Sequence, residues 1–256
     1  MQTTTIEMPS FIGASTDLRL LGAGKQAFCF AVADSFVIKG EHQVFESFED
    51  ASVRAIELQQ EYDFWMPENR LAHYVNPSTT IVDETKHGFR VWTQESLTQG
   101  VSIADSISAS RADSDVNLEP IADFYTRVLR IFRETGIMAD VTGRPSFVGW
   151  RRPNHTPNVI VENNKGAITP KLIDKGFIRG GKIERWWHPR TIQSHVGGRL
   201  AYLVLSATGN ISEEVASKAG KEIRQLSSVQ QMHINYMLAG YDFPIIKQIP
   251  DIELVQ

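Results

Sequence analysis

The chain predicts an α+β fold in two parts: a small strand-rich N-terminal part and a larger, mainly helical C-terminal part. Three observations lead there. A glycine-rich hairpin and a third strand ending in lysine occupy residues 18–39. Two stretches, 51–65 and 120–136, carry apolar residues at helical spacing. A second short hairpin opens on Asn158 and closes on Asp174. Strands gathered first and helices gathered later are the mark of an α+β chain rather than of alternating βα units.

The elements follow in order. Residues 1–17 read as a leading arm with one possible short strand. Leu20-Leu21-Gly22-Ala23-Gly24-Lys25-Gln26-Ala27-Phe28 leads into the apolar run Cys29 to Val32. Ala33-Asp34-Ser35 is a turn, and Phe36-Val37-Ile38-Lys39 is the next strand. Ala51, Ala55, Leu58, Tyr62 and Trp65 recur at steps of four and three, which is one apolar stripe of a helix. Pro67 and Pro77 punctuate a connection. Ser78 to Asp83 and Gly88 to Gln94 read as two strands joined by a polar turn. A boundary near residue 97 divides the chain into 1–97 and 98–256. Ile103 to Ser108 reads as the start of a helix, and Arg111 to Asn117 is polar and reads as a loop. Pro120 suits a first helical turn, and Ile121, Phe124, Tyr125, Val128, Leu129 and Phe132 follow as a stripe that Gly136 ends. Leu200 to Ser206, Val215 to Ile223 and Val229 to Leu238 are further helices, punctuated by Gly209 and Gly240.

Composition bounds the function. The 256 residues are 42% hydrophobic and 22% charged, as in a soluble globular protein, with net charge −4. That balance makes no overall case for nucleic acid. Basic residues gather at Arg144, Arg151 and Arg152, and again at Arg179, Lys182, Arg185 and Arg190. They form either a solvated rim or a surface for a phosphorylated substrate. The single cysteine, Cys29, rules out an intrachain disulfide and suits a reducing compartment. Its place in an alternating strand points to packing rather than reactivity. No apolar run approaches the roughly 20 residues that span a bilayer, and the first ten residues lack the basic and apolar regions of a signal peptide. A cytoplasmic protein with no membrane partner is expected.

Two short strands from Val159 to Asp174, turning at Asn163–Gly166, would bring Asn158 and Asp174 back to the same end. An amide oxygen and a carboxylate side by side are hard oxygen ligands of the kind Mg²⁺ prefers. The alternative is a polar-capped hairpin with no ligand. The order of parts decides between them: glycine-rich hairpin, lysine-ended strand, helix bearing Glu, then Asp, Asn and Asp. That order resembles the protein-kinase-like superfamily, through scattered motifs across residues 18–180. Phe-Val-Ile-Lys is similar to the family's Val-Ala-Ile-Lys strand, and Asp174-Lys175-Gly176 to its Asp-Phe-Gly.

The resemblance implies a two-lobed kinase-like fold that binds ATP and Mg²⁺ and transfers phosphate to a hydroxyl acceptor. Gly22 and Gly24 would cover the phosphates. Lys39 would contact them, held by a helix carboxylate, either Glu61 or Glu57, with Glu61 preferred. The segment 93–97, with Glu95 and Leu97, would be the hinge whose backbone recognises adenine. Asn158 and Asp174 would hold Mg²⁺. The departures are specific. Ala27 stands where the third glycine belongs, and Lys175 replaces the phenylalanine. The position five residues before Asn158 is Pro153, which can accept no proton. One reading is a pseudokinase, a nucleotide-binding or regulatory module without a base. The other takes Asp140, in Gly136-Ile137-Met138-Ala139-Asp140-Val141-Thr142-Gly143, as the base, with residues 146–157 inserted before Asn158. Asp140 is also good turn chemistry. His155 reads as a structural hydrogen-bonding residue. His188 and His195, seven apart without clustered carboxylates, do not make a zinc site. Trp186-Trp187 reads as packing.

Overall fold

The computed structural model describes residues 7–13, 16–23, 27–103, 117–141, 158–164, 167–179, 189–206 and 210–239. The chain divides into two compact units. Unit 1 comprises Met1–Met66 and Asn76–Leu97, and unit 2 comprises Pro67–Val75 and Thr98–Gln256. Unit 1 is a sheet with one helix and unit 2 is mainly helical, so the chain is α+β. Among the described residues no helix is long and apolar enough to cross a membrane.

Unit 1 is built on a five-stranded sheet of β1 (Leu18–Ala23), β2 (Ala27–Val32), β3 (Phe36–Glu41), β4 (Ser78–Thr85) and β5 (Gly88–Ser96). The order is β1-β2-β3-β5-β4, with every neighbour antiparallel. Helix α1 (Phe48–Trp65) connects β3 to β4. Its Ser47 N-cap accepts the Asp50 amide at 3.1 Å, and Glu49 and Asp50 place negative charge on the first turn. The predicted stripe is the buried one: Ala51, Ala55, Leu58 and Trp65 face inward.

Alternation along the strands gives the sheet two different faces. One carries Phe28, Val32, Ile38 and Trp92, covered by Met8 and Ile12 of the N-terminal arm. The arm is tied down where the Ser10 amide and hydroxyl both donate to Asp83. The other face lies under α1, with Val91 packed on Ala51, Ala55 and Leu58. Thr80 Oγ1 donates to the Ala55 carbonyl at 3.1 Å. The β2–β3 connection is a two-residue turn with positive φ at Ala33 and Asp34 (46° and 53°), closed by Ser35 N–H to Val32 O at 3.0 Å. Positive φ at both central positions is the type I′ geometry that suits the twist of a hairpin.

Unit 2 centres on α2 (Glu119–Thr135) with α3 (Pro189–Ser206), α4 (Glu213–Arg224) and α5 (Ser228–Ala239). Gly136 ends α2 at φ 71°, its amide donating to Phe132 O at 2.8 Å, as the sequence leads one to expect. Arg133 of α2 and Glu222 of α4 pair at 2.6 Å. Gly197 lets α3 and α5 approach, since a Cβ there would lie 2.8 Å from Ile234 and Leu226. Five short strands make two small sheets: β6 (Val101–Ser102) with β8 (Val159–Asn164) and β9 (Ala167–Leu172), and β7 (Ile137–Ala139) with β10 (Phe177–Arg179). Periodicity did not show β6, β7 or β10, because two or three residues carry no readable period. The proposed helix start after Ile103, the loop at 111–116, Pro153, His155, Trp186-Trp187, His188, Gly209, Gly240 and most of the basic clusters lie outside the described residues.

Two predictions follow from packing and burial. A Cβ on Gly40 would sit 2.5 Å from a Phe28 ring carbon and 2.8 Å from the Trp92 ring, inside a closed aromatic contact. Gly40→Ala is therefore expected to cost about 1–3 kcal/mol. Urea unfolding checks this, and an unchanged midpoint would mean the rings have room to shift. The second concerns acid. Burial first, then the positive charges of Arg199 and His233, lower the His195 pKa from its ordinary value to about 4. The folded value lies below the unfolded one, so the unfolded chain takes up the proton first. The stability His195 contributes is present above pH 6.5 and is lost as pH falls toward 4, by about 3 kcal/mol in all. His195→Gln should show a shallower decline over that window in unfolding measured at a series of pH values. Parallel curves for both proteins would contradict it.

Candidate functional site

Unit 1 assembles a row of side chains by register alone. Lys39 faces Thr93 across β3 and β5, and Cys29 faces Lys39 across β2 and β3. Leu21 is an extra residue in β1, because Leu20 pairs with Phe30 while Gly22 pairs with Cys29. This bulge brings Gly22 into the row. The row then reads Gly22, Cys29, Lys39, Thr93, Thr80 on the α1 side of the sheet. Among the described residues nothing lies within 4 Å of a Cβ placed on Gly22. Gly24 lies outside the described residues.

The Lys39 ammonium sits 2.5 Å from Glu95 Oε1. Glu95 is buried and Lys39 half-buried. Glu95 is two residues along β5 from the partner of Lys39, a diagonal that long side chains span. Ser78 Oγ donates to the second carboxylate oxygen at 3.3 Å. Tyr62 of α1 and Thr93 share a hydroxyl–hydroxyl bond at 3.3 Å beside them. Glu61 is half-buried on α1 and contributes to the negative field at Arg54. Glu57 accepts from Arg54 at 3.4 Å, and Arg54 also pairs with Glu41 at 2.8 Å. As for the hinge segment, Glu95 lies on a strand paired on both sides, and the Leu97 amide donates to Ser35 O at 3.2 Å. What Glu95 presents is its side chain. Strand parity was the available signal: residues 91, 93 and 95 share one face of β5.

Unit 2 gathers Asp140, Asn158 and Asp174. The β8–β9 hairpin pairs Val159 with Leu172, and Ile173 N–H donates to Asn158 O at 2.9 Å. Asp174 is the next residue, so Asn158 and Asp174 return to one end of the hairpin as the sequence expects. Asp174 Oδ1 accepts the Gly176 amide at 3.2 Å, a local turn that fixes one oxygen. The chain then enters β10, where Phe177 pairs with Ala139 of β7. That register carries the loop back to Asp140. Asp140 is the middle of a tight turn closed by Val141 N–H to Ala139 O at 2.9 Å. The Asn158 amide nitrogen donates to the Asp140 carbonyl at 2.9 Å across 18 positions of sequence. Lys175, in the place of the family's phenylalanine, is buried at 3% exposure.

The donor set suits a hard, small cation. Asn158 uses its nitrogen on Asp140 and keeps its oxygen to offer. Asp174 is exposed, with one oxygen taken by Gly176. One amide oxygen and one carboxylate are too few for a closed protein cage. They fit Mg²⁺, which keeps waters and takes the remainder of its shell from phosphate oxygens. Among the described residues no group of three or more His, Cys, Asp or Glu could hold a metal.

No family model matches the chain, and no curated protein matches it in sequence. Among solved structures, the ternary complex of streptomycin, ATP and APH(2")-IIa is similar over 88% of this chain and 88% of that one, at 12% identity and a TM-score of 0.37. A likeness of that size leaves the fold to be described by the topology above.

The Asn158–Asp140 bond is open to test. Asn158→Ala leaves the Asp140 carbonyl without its donor, at an expected cost of about 1–2 kcal/mol. Urea unfolding of the variant measures it. Equal stability would show that the bond does not hold this turn in solution.

Proposed function

We propose that the chain is an ATP- and Mg²⁺-dependent phosphotransferase acting on a hydroxyl acceptor. The observation that carries the reading is the Asn158–Asp140 hydrogen bond, which gathers Asp140, Asn158 and Asp174 despite the atypical spacing of the sequence. Lys39 supplies a point charge to the nucleotide phosphates, Glu61 supports it from α1, and Gly22 covers the phosphates. Main chain at the end of the 93–97 segment, at Leu97, would meet adenine, and Gly24 would share the cover over the phosphates. Asn158 and Asp174 would supply oxygen ligands to Mg²⁺, which would neutralise charge on the transferred group. Asp140 accepts the proton of the acceptor hydroxyl as its oxygen attacks the terminal phosphorus and ADP leaves. Phosphoryl transfer asks mainly for positioning and charge neutralisation, so this small set suffices. The acceptor is a small-molecule or protein hydroxyl. No nucleic acid or membrane enters the reaction, and a cytoplasmic setting fits.

One observation favours the competing reading of a pseudokinase that binds nucleotide as a regulatory module. Lys39 already has a carboxylate partner within its own sheet, so a structural role accounts for it without phosphoryl transfer. The experiment that separates the readings is melting with ATP, with and without Mg²⁺, followed by turnover. Asp174→Ala should lose the Mg²⁺-dependent part of the ATP shift and keep the apo melting point. Asp140→Asn should keep the shift and lose transfer by about 10²–10⁴-fold. ATP hydrolysis serves as the readout until an acceptor is known. An intact Mg²⁺–ATP shift in Asp174→Ala removes that residue from the site. Binding without any turnover in the wild type selects the pseudokinase.

A further inference from the structure

We propose that Glu95, through its side chain, is the positioning residue that sets Lys39. The nucleotide part of this inference rests on the proposed function, and the geometric part does not.

The argument begins with what a buried carboxylate requires. Glu95 sits on a central strand with its side chain 7% exposed. An ionised carboxylate there is costly unless both oxygens are satisfied. Both are: Oε1 meets the Lys39 ammonium at 2.5 Å and Oε2 accepts from Ser78 Oγ at 3.3 Å. Ser78 is itself the strand partner of Glu95. The carboxylate is therefore held by sheet register on two sides, and a lysine bound to it inherits that fixity. On α1, Glu57 is turned to Arg54.

Cys29 supplies an internal reporter. It is the strand partner of Lys39 on the same face and the only cysteine of the chain, so thiol labelling is unambiguous. Burial raises its pKa, with Lys39 lowering it and Glu95 raising it.

The experiment uses the full chain and two readouts. The first is the rate of Cys29 alkylation by iodoacetamide across pH. Glu95→Gln should speed it by about three- to tenfold, because the Lys39 charge is no longer balanced, and Lys39→Met should slow it. General loosening of the fold would speed both, so opposite signs are the expected result and equal signs overturn the pair. The double variant should return toward the wild-type rate. The second readout is ligand affinity. Glu95→Gln should weaken Mg²⁺–ATP by about tenfold while leaving adenosine unchanged, since only the phosphates meet Lys39. Glu95→Asp, with its charge kept and its reach shortened, should weaken it less. A loss shared equally by ATP and adenosine, or a larger loss in Glu61→Gln, overturns the assignment. If the wild type binds no Mg²⁺–ATP, the nucleotide role of Glu95 falls with the proposed function, while the alkylation signs still decide the Lys39–Glu95 pair.

Discussion

A slip of one residue between β3 and β5 would turn Lys39 and Glu95 to opposite faces of the sheet. Antiparallel register is thus the constraint on which both parts of the candidate site rest. In unit 1 it lines up Gly22, Cys29, Lys39 and Thr93 and sets Glu95 on the diagonal. In unit 2 it returns Asn158 to Ile173 and carries the chain from Asp174 to the side of Asp140. Register in turn is held by packing. Phe28, Ile38 and Trp92 must all lie on the arm side for the aromatic cluster to close, and Gly40 alone makes space for two of those rings. A core on one face therefore fixes the polar row on the other.

Much of this was legible in the sequence. The stripes of α1 and α2 have the right period and end where the caps put them. The pairs 78–83 and 88–94 read as strands because their turn chemistry and β-branched content agree. The hairpin from Asn158 to Asp174 followed from one turn and two short apolar runs. The Lys39–Glu95 pair is a different matter, because nothing in a single chain gives the pairing of β3 with β5. Glu95 drew attention for its backbone, whereas its side chain is the part that the sheet places beside Lys39. Strands β7 and β10 were missed for the same reason: three residues pair only because two distant segments meet. Asp140 was identified from its place after a core helix. Its contact with Asn158 crosses 18 positions that carry no periodic signal.

The electrostatics of the two units differ in kind. In unit 1 a buried carboxylate and a half-buried ammonium settle each other within one sheet. In unit 2 Asp174 is exposed, so its negative charge is open to water or a cation. A polar surface of that sort is cheap to maintain and slow to contribute to stability. The hydrogen bonds that shape it run mostly to backbone, at Gly176, Asp140 and Asn158. Side chains at those positions are thus oriented by the main chain around them more than by one another.

The Asn158 amide holds the Asp140 carbonyl across 18 positions of sequence. Closing a segment at its two ends makes its length almost free: doubling it adds only about 0.6 kcal/mol of closure entropy. The stretch between these two residues can therefore be lengthened, shortened or rewritten while the clasp keeps Asp140 beside Asn158.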